Sequence, residues 1–341
     1  MTEAADSPGD RMRFNWLRTR AQFLIVAAAI AATLGTLLAL GARWWWVADL
    51  FSHFRCHYSV VLAVGTAFCG ITRHWWLAAI FGICAAFNMA LIVPLYLPAE
   101  IRAAGGRSVR VMLANVHVRN HDHERFLQLV RDESPDVIVV LEVGSAWQKA
   151  LDDLAAEYPY RVSRPREDAF GIAFLSRLRA DHAEVREIGP AEVPSIVAHI
   201  DCGENVALEL VGTHPLPPVS AENVALRNEQ LRDIGRLAGS LQRPTVLVGD
   251  LNTTSWSPIW RDLLVASGLR DSRLGCGVQP TWPGNSMIGI PIDHVLVSSN
   301  VVVDERKIGP HIGSDHLPVI VELRVLPTMN ANKPAIIRNL R

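Results

Sequence analysis

A run of 22 residues without a charge lies near the start of the chain, at residues 21–42. At ~1.5 Å of rise per residue, a helix of this length crosses the ~30 Å hydrocarbon core of a bilayer. The run exceeds the ~7–15 apolar residues of a cleaved signal peptide, and no small-residue cleavage site with mature soluble sequence follows it. We therefore predict a membrane span here.

Two further uncharged runs follow, residues 56–72 and 75–97, the first at the lower length limit for a span and the second comfortably long. Tryptophan prefers the membrane interface, and six of the ten tryptophans lie at the edges of the three runs. They are Trp16, Trp44, Trp45, Trp46, Trp75 and Trp76. The sequence predicts a three-helix transmembrane region over 21–97, and hence a multi-pass protein of the cell membrane.

The distribution of arginines predicts the orientation. Four precede the first run and two separate it from the second, which favours a cytoplasmic segment 1–20. Three crossings then place the C-terminal part of the chain outside the cytoplasm, in a periplasmic or external location. Three arginines at the far end of the third run argue for the opposite orientation, and a re-entrant second segment would also reverse it.

The rest of the chain has the composition of a soluble domain. Of 33 basic and 34 acidic residues, seven and five lie within the first 100, so the remainder carries 26 and 29 and a net charge of −3. Nucleic-acid binders usually carry a basic footprint, and no global one is present here.

We place a linker with a proline and a glycine pair at 98–107, the domain at 108–326 and a weakly ordered tail at 327–341. Cys202 and Cys276 could form at most one disulfide and show no metal-site spacing.

Within the domain, short apolar runs alternate with amphipathic segments, which predicts an α/β layered fold around one core. Helices are predicted at 122–133, from Ser145, and at 220–240, where Ser220 is the expected cap. Strands are predicted at 109–114, 137–141, 171–175, 195–200, 207–211, 245–248, 292–297 and 319–323.

Polar residues stand at the ends of several predicted strands. They are Asn115, Glu142, His214, Asp250, Asn252, Asp293, Asp315 and His316. One such residue alone is more often a turn or capping residue than a ligand. Side chains at strand ends converge in layered α/β folds, and buried acids without partners are costly. Together they predict a cation or an organised hydrogen-bond network at this edge.

The motifs that contain these residues resemble those of the endonuclease/exonuclease/phosphatase superfamily. In order, the chain has NVH, PDVIVVLEV, GTHPLPP, LVGDLN, PTWP, PIDHVLVS and GSDHLPV. The resemblance covers residues 108–325. It implies a four-layer α/β sandwich, in which two packed mixed sheets are flanked by helices.

The resemblance also implies a metal site. Glu142 would hold a divalent metal, with Asn115 and Asp315 contributing directly or through water. These ligands are hard oxygens without a thiolate, so Mg²⁺ or Mn²⁺ is expected rather than Zn²⁺.

The resemblance further implies the catalytic roles. Asp250 would orient or deprotonate the attacking water, and Asn252 would hold phosphate oxygens. His316, oriented by Asp293, would contact the scissile phosphate. His214 would be a phosphate ligand or the acid for the leaving oxygen. The predicted function is a membrane-anchored, divalent-metal-dependent phosphoesterase that hydrolyses a phosphodiester or phosphomonoester. Its expected partners are the lipid bilayer and a phosphate ester. That ester could be a phospholipid headgroup, a nucleic acid or a small phosphoester.

Two alternatives remain open. A catalytically silent module could use the same pocket to recruit a phosphorylated partner. A zinc-dependent hydrolase could instead use His117, His121 and His123, although the spacing is unusual and Asp122 is better explained as a helix cap. The chain also departs from the family where many members have an acid in place of His117, which leaves a second metal position in doubt.

Several other residues have both a functional and a structural interpretation. Trp282 is predicted to bind substrate, whereas Trp256 and Trp260 are as readily explained by packing. Arg227 and Gln230 are predicted to lie on a solvated helix face. A local basic cluster is expected either to line a cleft or to be solvated, and consists of Arg161, Arg164, Arg166, Arg177 and Arg179.

Overall fold

The computed structural model describes residues 8–97, 105–284 and 286–327, with side chains from residue 19 onward. The described residues form two compact units. The helical unit contains residues up to Leu97 together with Thr254–Pro258, and the α/β unit contains the others. Most of the predicted linker and all but the first residue of the predicted tail lie outside the described residues.

Four α-helices form the helical unit within residues 8–97. They are α1 (Pro8–Leu38), α2 (Trp46–Ser52), α3 (Arg55–Ile71) and α4 (Trp75–Ile92). Two stretches, Thr19–Gly41 and Trp75–Tyr96, are long and apolar enough to cross a membrane. The helices α2 and α3 meet at a bend of 64° and pass the same test only as a pair. The predicted first and third spans therefore coincide with helices that are long enough to cross a membrane. The predicted second span is long enough only if the bent pair α2 and α3 forms one crossing.

Small residues allow the helices of this unit to approach closely. A Cβ added at Gly65 would lie 2.5 Å from the Cβ of Ala29, and one at Gly35 would lie 2.7 Å from the ring of Tyr58. Close backbone approach at small residues is typical of helix packing in membranes. Large apolar side chains such as Phe23 and Trp76 point outward, as expected for helices that face lipid.

The described residues of the α/β unit form twelve strands in two sheets. The strands are β1 (Arg107–Asn115), β2 (Val137–Leu141), β3 (Tyr160–Arg164), β4 (Ile172–Ser176), β5 (Ala180–Glu187), β6 (Pro194–Gly203), β7 (Val206–Thr213), β8 (Thr245–Asp250), β9 (Arg270–Asp271), β10 (Asp293–Val297), β11 (Val301–Ile308) and β12 (Val319–Val325). Sheet A has the order β11-β12-β1-β2-β4-β3, and sheet B has the order β5-β6-β7-β8-β10-β9. The pairs β1/β2 and β7/β8 are parallel and the other pairs are antiparallel, so both sheets are mixed.

The core lies between the two sheets, and helices cover their outer faces. Val139 and Phe174 of sheet A join Ile196 and Leu210 of sheet B in one apolar cluster. On the outer face of sheet A lie α5 (His123–Glu133) and α6 (Ser145–Leu151), and on that of sheet B lie α7 (Ala221–Ser240) and α8 (Pro258–Ser267). This confirms the predicted α/β sandwich of two mixed sheets flanked by helices.

The two predicted helix caps differ in outcome. The Ser220 side chain accepts a hydrogen bond from the backbone N–H of Asn223, so it caps α7 as predicted. Asp122 precedes α5, but its side chain makes no capping hydrogen bond. It pairs with Arg125 at 2.7 Å instead, because the residue three positions along a helix lies within reach of a carboxylate at the helix start. Asp122 is therefore at the N-cap position as predicted, but its side chain does not cap the helix.

Candidate active site

Sheet A supplies three of the expected site residues. Asn115 ends β1 and Glu142 directly follows β2. Because β1 and β2 are parallel, both residues lie at the same edge. His316 lies in the segment before β12. Val319, the first residue of β12, pairs with Leu113 near the end of β1. The segment is held there because the Ser314 hydroxyl donates to the carbonyl of Asn115 at 2.8 Å.

Sheet B supplies three more. His214 directly follows β7, and Asp250 ends the parallel neighbour β8. Asp293 begins β10, which runs antiparallel to β8, so that Asp293 and Asp250 are paired residues. A Cβ added at Gly249 would lie 2.0 Å from the carbonyl oxygen of Thr213. The glycine therefore lets the ends of β7 and β8 approach closely at the site.

The carboxylate of Asp250 joins the two groups of residues. Its Oδ2 lies 3.3 Å from Nδ2 of Asn115, 3.4 Å from Nε2 of His214 and 3.6 Å from Nε2 of His316. All four residues are buried. The predicted convergence of these strand-end residues is therefore present in the structure.

Glu142 lies beside Asn115 at the same edge. Asn115 Nδ2 donates to Oε1 of Glu142 at 3.0 Å, and the backbone N–H of Val118 donates to Oε2 at 3.2 Å. Glu142 has a φ of +61°. A residue with a side chain adopts this left-handed conformation at a cost of about 1–3 kcal/mol, and such strain is found mostly at functional sites. The backbone thus holds this carboxylate in a fixed direction.

A second carboxylate holds His316. Asp293 Oδ2 lies 2.8 Å from Nδ1 of His316, and because an ionised carboxylate only accepts, the ring donates from Nδ1. Burial alone would lower the pKa of His316, but the charges of Asp293 and Asp250 outweigh it and raise the pKa to about 10. His316 is therefore an imidazolium at neutral pH, with Nε2–H directed toward Asp250.

The neighbouring groups respond to the same charges. Burial opposes ionisation of Asp250, yet His316 and His214 outweigh it and lower its pKa to about 2. The pKa of His214 is raised, because Asp250 and Glu142 overcome the effect of burial. The site therefore contains an ionised carboxylate between two histidines that favour their protonated forms.

The donor atoms fit a cation. Asp250, Asp293 and His316 offer ligand atoms that all lie within 4.8 Å of one another. Asp293 Oδ1 is buried and has no hydrogen-bond partner among the described residues. Glu142 adds a carboxylate beside Asn115. The carboxylate oxygens suit a hard divalent ion. His316 offers no lone pair while its Nε2 is protonated, and the amide oxygen of Asn115 also accepts from the backbone N–H of His117 at 3.1 Å.

The remaining predicted residues lie at the margin of the site. Asn252 has a φ of +49°, its backbone N–H donates to Oδ1 of Asp250 at 2.9 Å, and its Nδ2 donates to the carbonyl of Pro215 at 2.9 Å. Asp315 is exposed, and its Oδ2 accepts from Nε1 of Trp282 at 3.0 Å. The residue Trp282 is 37% exposed, and the centroid of its ring lies 6.4 Å from that of His316. Trp282 is therefore accessible to a ligand beside His316.

The structure gives no support to the zinc alternative. The metal-capable group found among the described residues contains none of His117, His121 and His123. The ring of His123 packs edge-on against Trp147 at 4.5 Å between centroids. This histidine is explained by packing on α6.

The local basic cluster is neutralised by acids. Its five arginines each form an ion pair: Arg161 with Asp152, Arg164 with Glu187, Arg166 with Asp168, Arg177 with Glu157 and Arg179 with Asp181. The second interpretation of these residues, solvated loops and strand edges, therefore agrees better with the structure.

The predictions for the helix residues were mixed. Trp260 is buried against the ring of His294, with 4.2 Å between centroids, which agrees with a packing role. Arg227 and Gln230, predicted to be solvated, are both 0% exposed, so that prediction was wrong. Its physical reason is helical periodicity: Arg227 precedes the buried Leu231 by one turn, and Gln230 precedes the buried Ile234 by one turn. This spacing from buried apolar residues was the sequence signal that Arg227 and Gln230 are buried.

Comparison with known proteins agrees with this geometry. A model of the Endonuclease/Exonuclease/phosphatase family matches residues 112–316, more than half of the chain. No curated protein is significantly similar in sequence. An endonuclease/exonuclease/phosphatase from Beutenbergia cavernae is 23% identical with a TM-score of 0.53, over 64% of this chain and 72% of that one.

Two further solved structures share the fold. The human Nocturnin catalytic domain is 16% identical with a TM-score of 0.53, over 64% of this chain and 94% of that one. An endonuclease/exonuclease/phosphatase from Bacteroides vulgatus is 18% identical with a TM-score of 0.53, over 64% of this chain and 99% of that one. With the family match over residues 112–316, the chain belongs to the endonuclease/exonuclease/phosphatase family, whose members are hydrolases of phosphoester bonds.

Proposed function

We propose that this protein is a membrane-anchored, divalent-metal-dependent phosphoesterase that hydrolyses a phosphodiester or phosphomonoester. The observation that carries the proposal is the arrangement around Asp250, whose buried carboxylate lies within 3.6 Å of Asn115, His214 and His316. Phosphoester hydrolysis requires an oriented water, charge stabilisation at phosphorus and a proton for the leaving oxygen. This one cluster offers groups for all three tasks.

Glu142 and Asn115 are the residues that we propose hold the metal, with Asp315 contributing through water. The unpartnered oxygen of Asp293 marks a second place where positive charge is favourable. A bound Mg²⁺ or Mn²⁺ supplies charge stabilisation to a phosphoryl oxygen. The carboxylates and the amide determine where such an ion is held.

The remaining catalytic tasks are assigned to individual side chains. Asp250 is ionised, and with a pKa of about 2 it is a weak base, so it is suited to orient the attacking water as a hydrogen-bond acceptor. His316 remains protonated, so its Nε2–H can donate to a phosphate oxygen. His214, whose raised pKa favours the protonated form, is suited to give a proton to the leaving oxygen. Asn252, whose amide donates to the carbonyl of Pro215 next to His214, is the proposed ligand of a phosphate oxygen, and Trp282 offers an exposed ring to the group that bears the phosphate.

The charge of the domain bears on the substrate. It has a net charge of −3 beyond residue 100, and its local basic cluster is paired with acids. A long polyanion such as nucleic acid is bound mainly through unpaired cations. With helices long enough to span a bilayer, this favours a phospholipid headgroup or a small phosphoester over nucleic acid.

The test uses the full-length protein in detergent or nanodiscs. Hydrolysis of bis(p-nitrophenyl) phosphate, p-nitrophenyl phosphate, single-stranded DNA and phospholipid vesicles is measured with Mg²⁺, with Mn²⁺ and with EDTA. We expect activity that EDTA abolishes and that falls at least about 10²-fold in Asp250→Asn and His316→Ala. Asp304→Asn, an exposed residue that pairs with Arg324, is the matched control.

Metal-independent activity, or activity unchanged in both site variants, would overturn the proposal. Binding of inorganic phosphate without hydrolysis of any substrate would support the silent module instead. Reporter fusions at the C-terminus test the topology: we expect activity from a periplasmic reporter, and a signal only from a cytoplasmic one would overturn the proposed extracytoplasmic location.

A further inference from the structure

A stripe of polar side chains on α7 is buried beneath the candidate site. Arg227 and Gln230 are 0% exposed, although both residue types are usually solvated. Burying a guanidinium is costly unless its donors are satisfied. One contact of each side chain reaches the end of a strand that carries His214 or the segment after Asp250.

Arg227 contacts the backbone of the segment that follows Asp250. Its Nη1 donates to the carbonyl oxygen of Asn252 at 2.9 Å. Its Nε and Nη2 donate to Oδ1 of Asn228 at 3.1 and 3.0 Å, and this two-point contact fixes the plane of the guanidinium. The direction of the Nη1 donor is therefore set by the helix.

Asn252 follows β8 with a left-handed φ of +49°, a conformation that asparagine adopts more readily than most residues with side chains. Its N–H donates to Asp250 and its side chain to Pro215. The carbonyl belongs to the peptide that follows Asn252, so a rotation that breaks its contact with Arg227 changes the path of the backbone at the Cα that bears the side-chain amide.

Gln230 makes a related contact one turn further along. Its Nε2 lies 3.4 Å from Oγ1 of Thr213, the residue before His214. Arg227 and Gln230 therefore contact the end of β7 and the segment that follows β8, at two of the three sheet B strand ends that enter the site.

We infer that Arg227 is a positioning residue for Asn252: its guanidinium locks the carbonyl, and thereby the side-chain amide, in the orientation that the site requires. This inference rests on the proposed phosphoesterase function and adds a residue that acts through another. Arg227 itself does not need to contact substrate. Misplacement of a catalytic group by about 1 Å can cost 10²-fold in rate.

The first test is a double-mutant cycle on the full-length protein, with bis(p-nitrophenyl) phosphate and Mg²⁺. Arg227→Met keeps much of the volume but removes the donors, and should lower kcat by about 10- to 100-fold. Arg227→Lys keeps one donor and should recover part of the loss. In an Asn252→Ala background, Arg227→Met should cause less than about twofold further loss, because there is no amide to position. A merely structural role would reduce activity equally in both backgrounds.

The second test does not depend on activity. Hydrogen–deuterium exchange should be at least about tenfold faster in Arg227→Met for peptides covering 250–253, and unchanged for β2. Arg232→Met, an exposed arginine on the same helix, is the matched control for both tests and should resemble the wild type. Wild-type exchange at 250–253 in Arg227→Met, or equal losses in both backgrounds, would overturn the inference. Absence of wild-type hydrolysis would instead count against the proposed function, and the exchange result would still decide the positioning role.

Discussion

Asp293 Oδ2 and His316 Nδ1 lie 2.8 Å apart, so the first residue of a sheet B strand orients a histidine that comes from sheet A. Asp293→Asn keeps an oxygen that can accept from Nδ1 but removes the charge. The pKa of His316 should therefore fall from about 10. As pH rises, the imidazolium is then lost earlier in the variant than in the wild type. We expect kcat to fall by about 10²-fold at pH 8.5 and by less at pH 6.

The measurement is the pH profile of kcat, with Asp304→Asn as the exposed control. A uniform loss at every pH would contradict the proposed control of His316 protonation by Asp293.

Gly249 provides a test of the close approach between β7 and β8. In Gly249→Ala the new Cβ would lie 2.0 Å from the carbonyl oxygen of Thr213, and backbone atoms must move to relieve the clash. We expect the adjoining residues His214 and Asp250 to shift and activity to fall at least about 10²-fold. Gly70→Ala is the matched control, because nothing lies within 4 Å of its added Cβ. Unchanged activity in Gly249→Ala would show that the strand ends tolerate separation.

Metal binding should be visible as stabilisation. An ion that binds only the folded state at 100 times its Kd stabilises it by about 2.7 kcal/mol. We expect Mg²⁺ or Mn²⁺ to raise the thermal midpoint of the wild type, and Glu142→Gln to remove most of this increase. Glu305→Gln, at an exposed position of β11, serves for comparison. Equal increases in the wild type and Glu142→Gln would argue against Glu142 as a metal ligand.

The buried ring of His294 should make folding sensitive to acid. Nε2 donates to the carbonyl of Thr253 at 2.8 Å, while Nδ1 is buried without a partner in the described part of the chain. Burial, aided by the charge of Arg273, lowers its pKa from 6.5 to about 3. Below pH 6.5 the unfolded chain binds a proton that the folded chain does not, so stability is lost as pH falls toward about 3.

Between pH 7.5 and 5.5 this group should cost about 1.4 kcal/mol, or about 3–6 °C in the thermal midpoint. His294→Gln should be less stable at pH 7.5, but its midpoint should change less between the two pH values. A parallel decrease in both proteins would show that His294 is not the titrating group.

The central strands were the most predictable part of the fold. The strand predicted at 137–141 is β2, a fully buried strand with a parallel neighbour, and such strands are continuous apolar runs. The strands β5 (ADHAEVRE) and β3 (YRVSR) were not predicted. They are edge strands rich in charged residues, which protect exposed edges from pairing and weaken the apolar alternation.

The candidate site was predictable as a set of strand-end residues, but its contacts were not. Sequence placed Asp250 and Asp293 at strand ends, and their pairing follows only from the antiparallel register of β8 and β10. The hydrogen bond between Trp282 and Asp315 joins two loops. No periodicity governs such loop contacts, so only the three-dimensional structure reveals them.

The order of strands along the chain has a consequence for synthesis. All strands of sheet B lie in one stretch of sequence, 180–297. Sheet A is completed only by the last two strands, because β12 pairs with β1 and β11 pairs with β12. A chain terminated before residue 301 can assemble the residues of sheet B but lacks His316 and the partner strand of β1. Under the proposed function, a chain that ends before residue 316 lacks a catalytic group, and we expect it to be inactive.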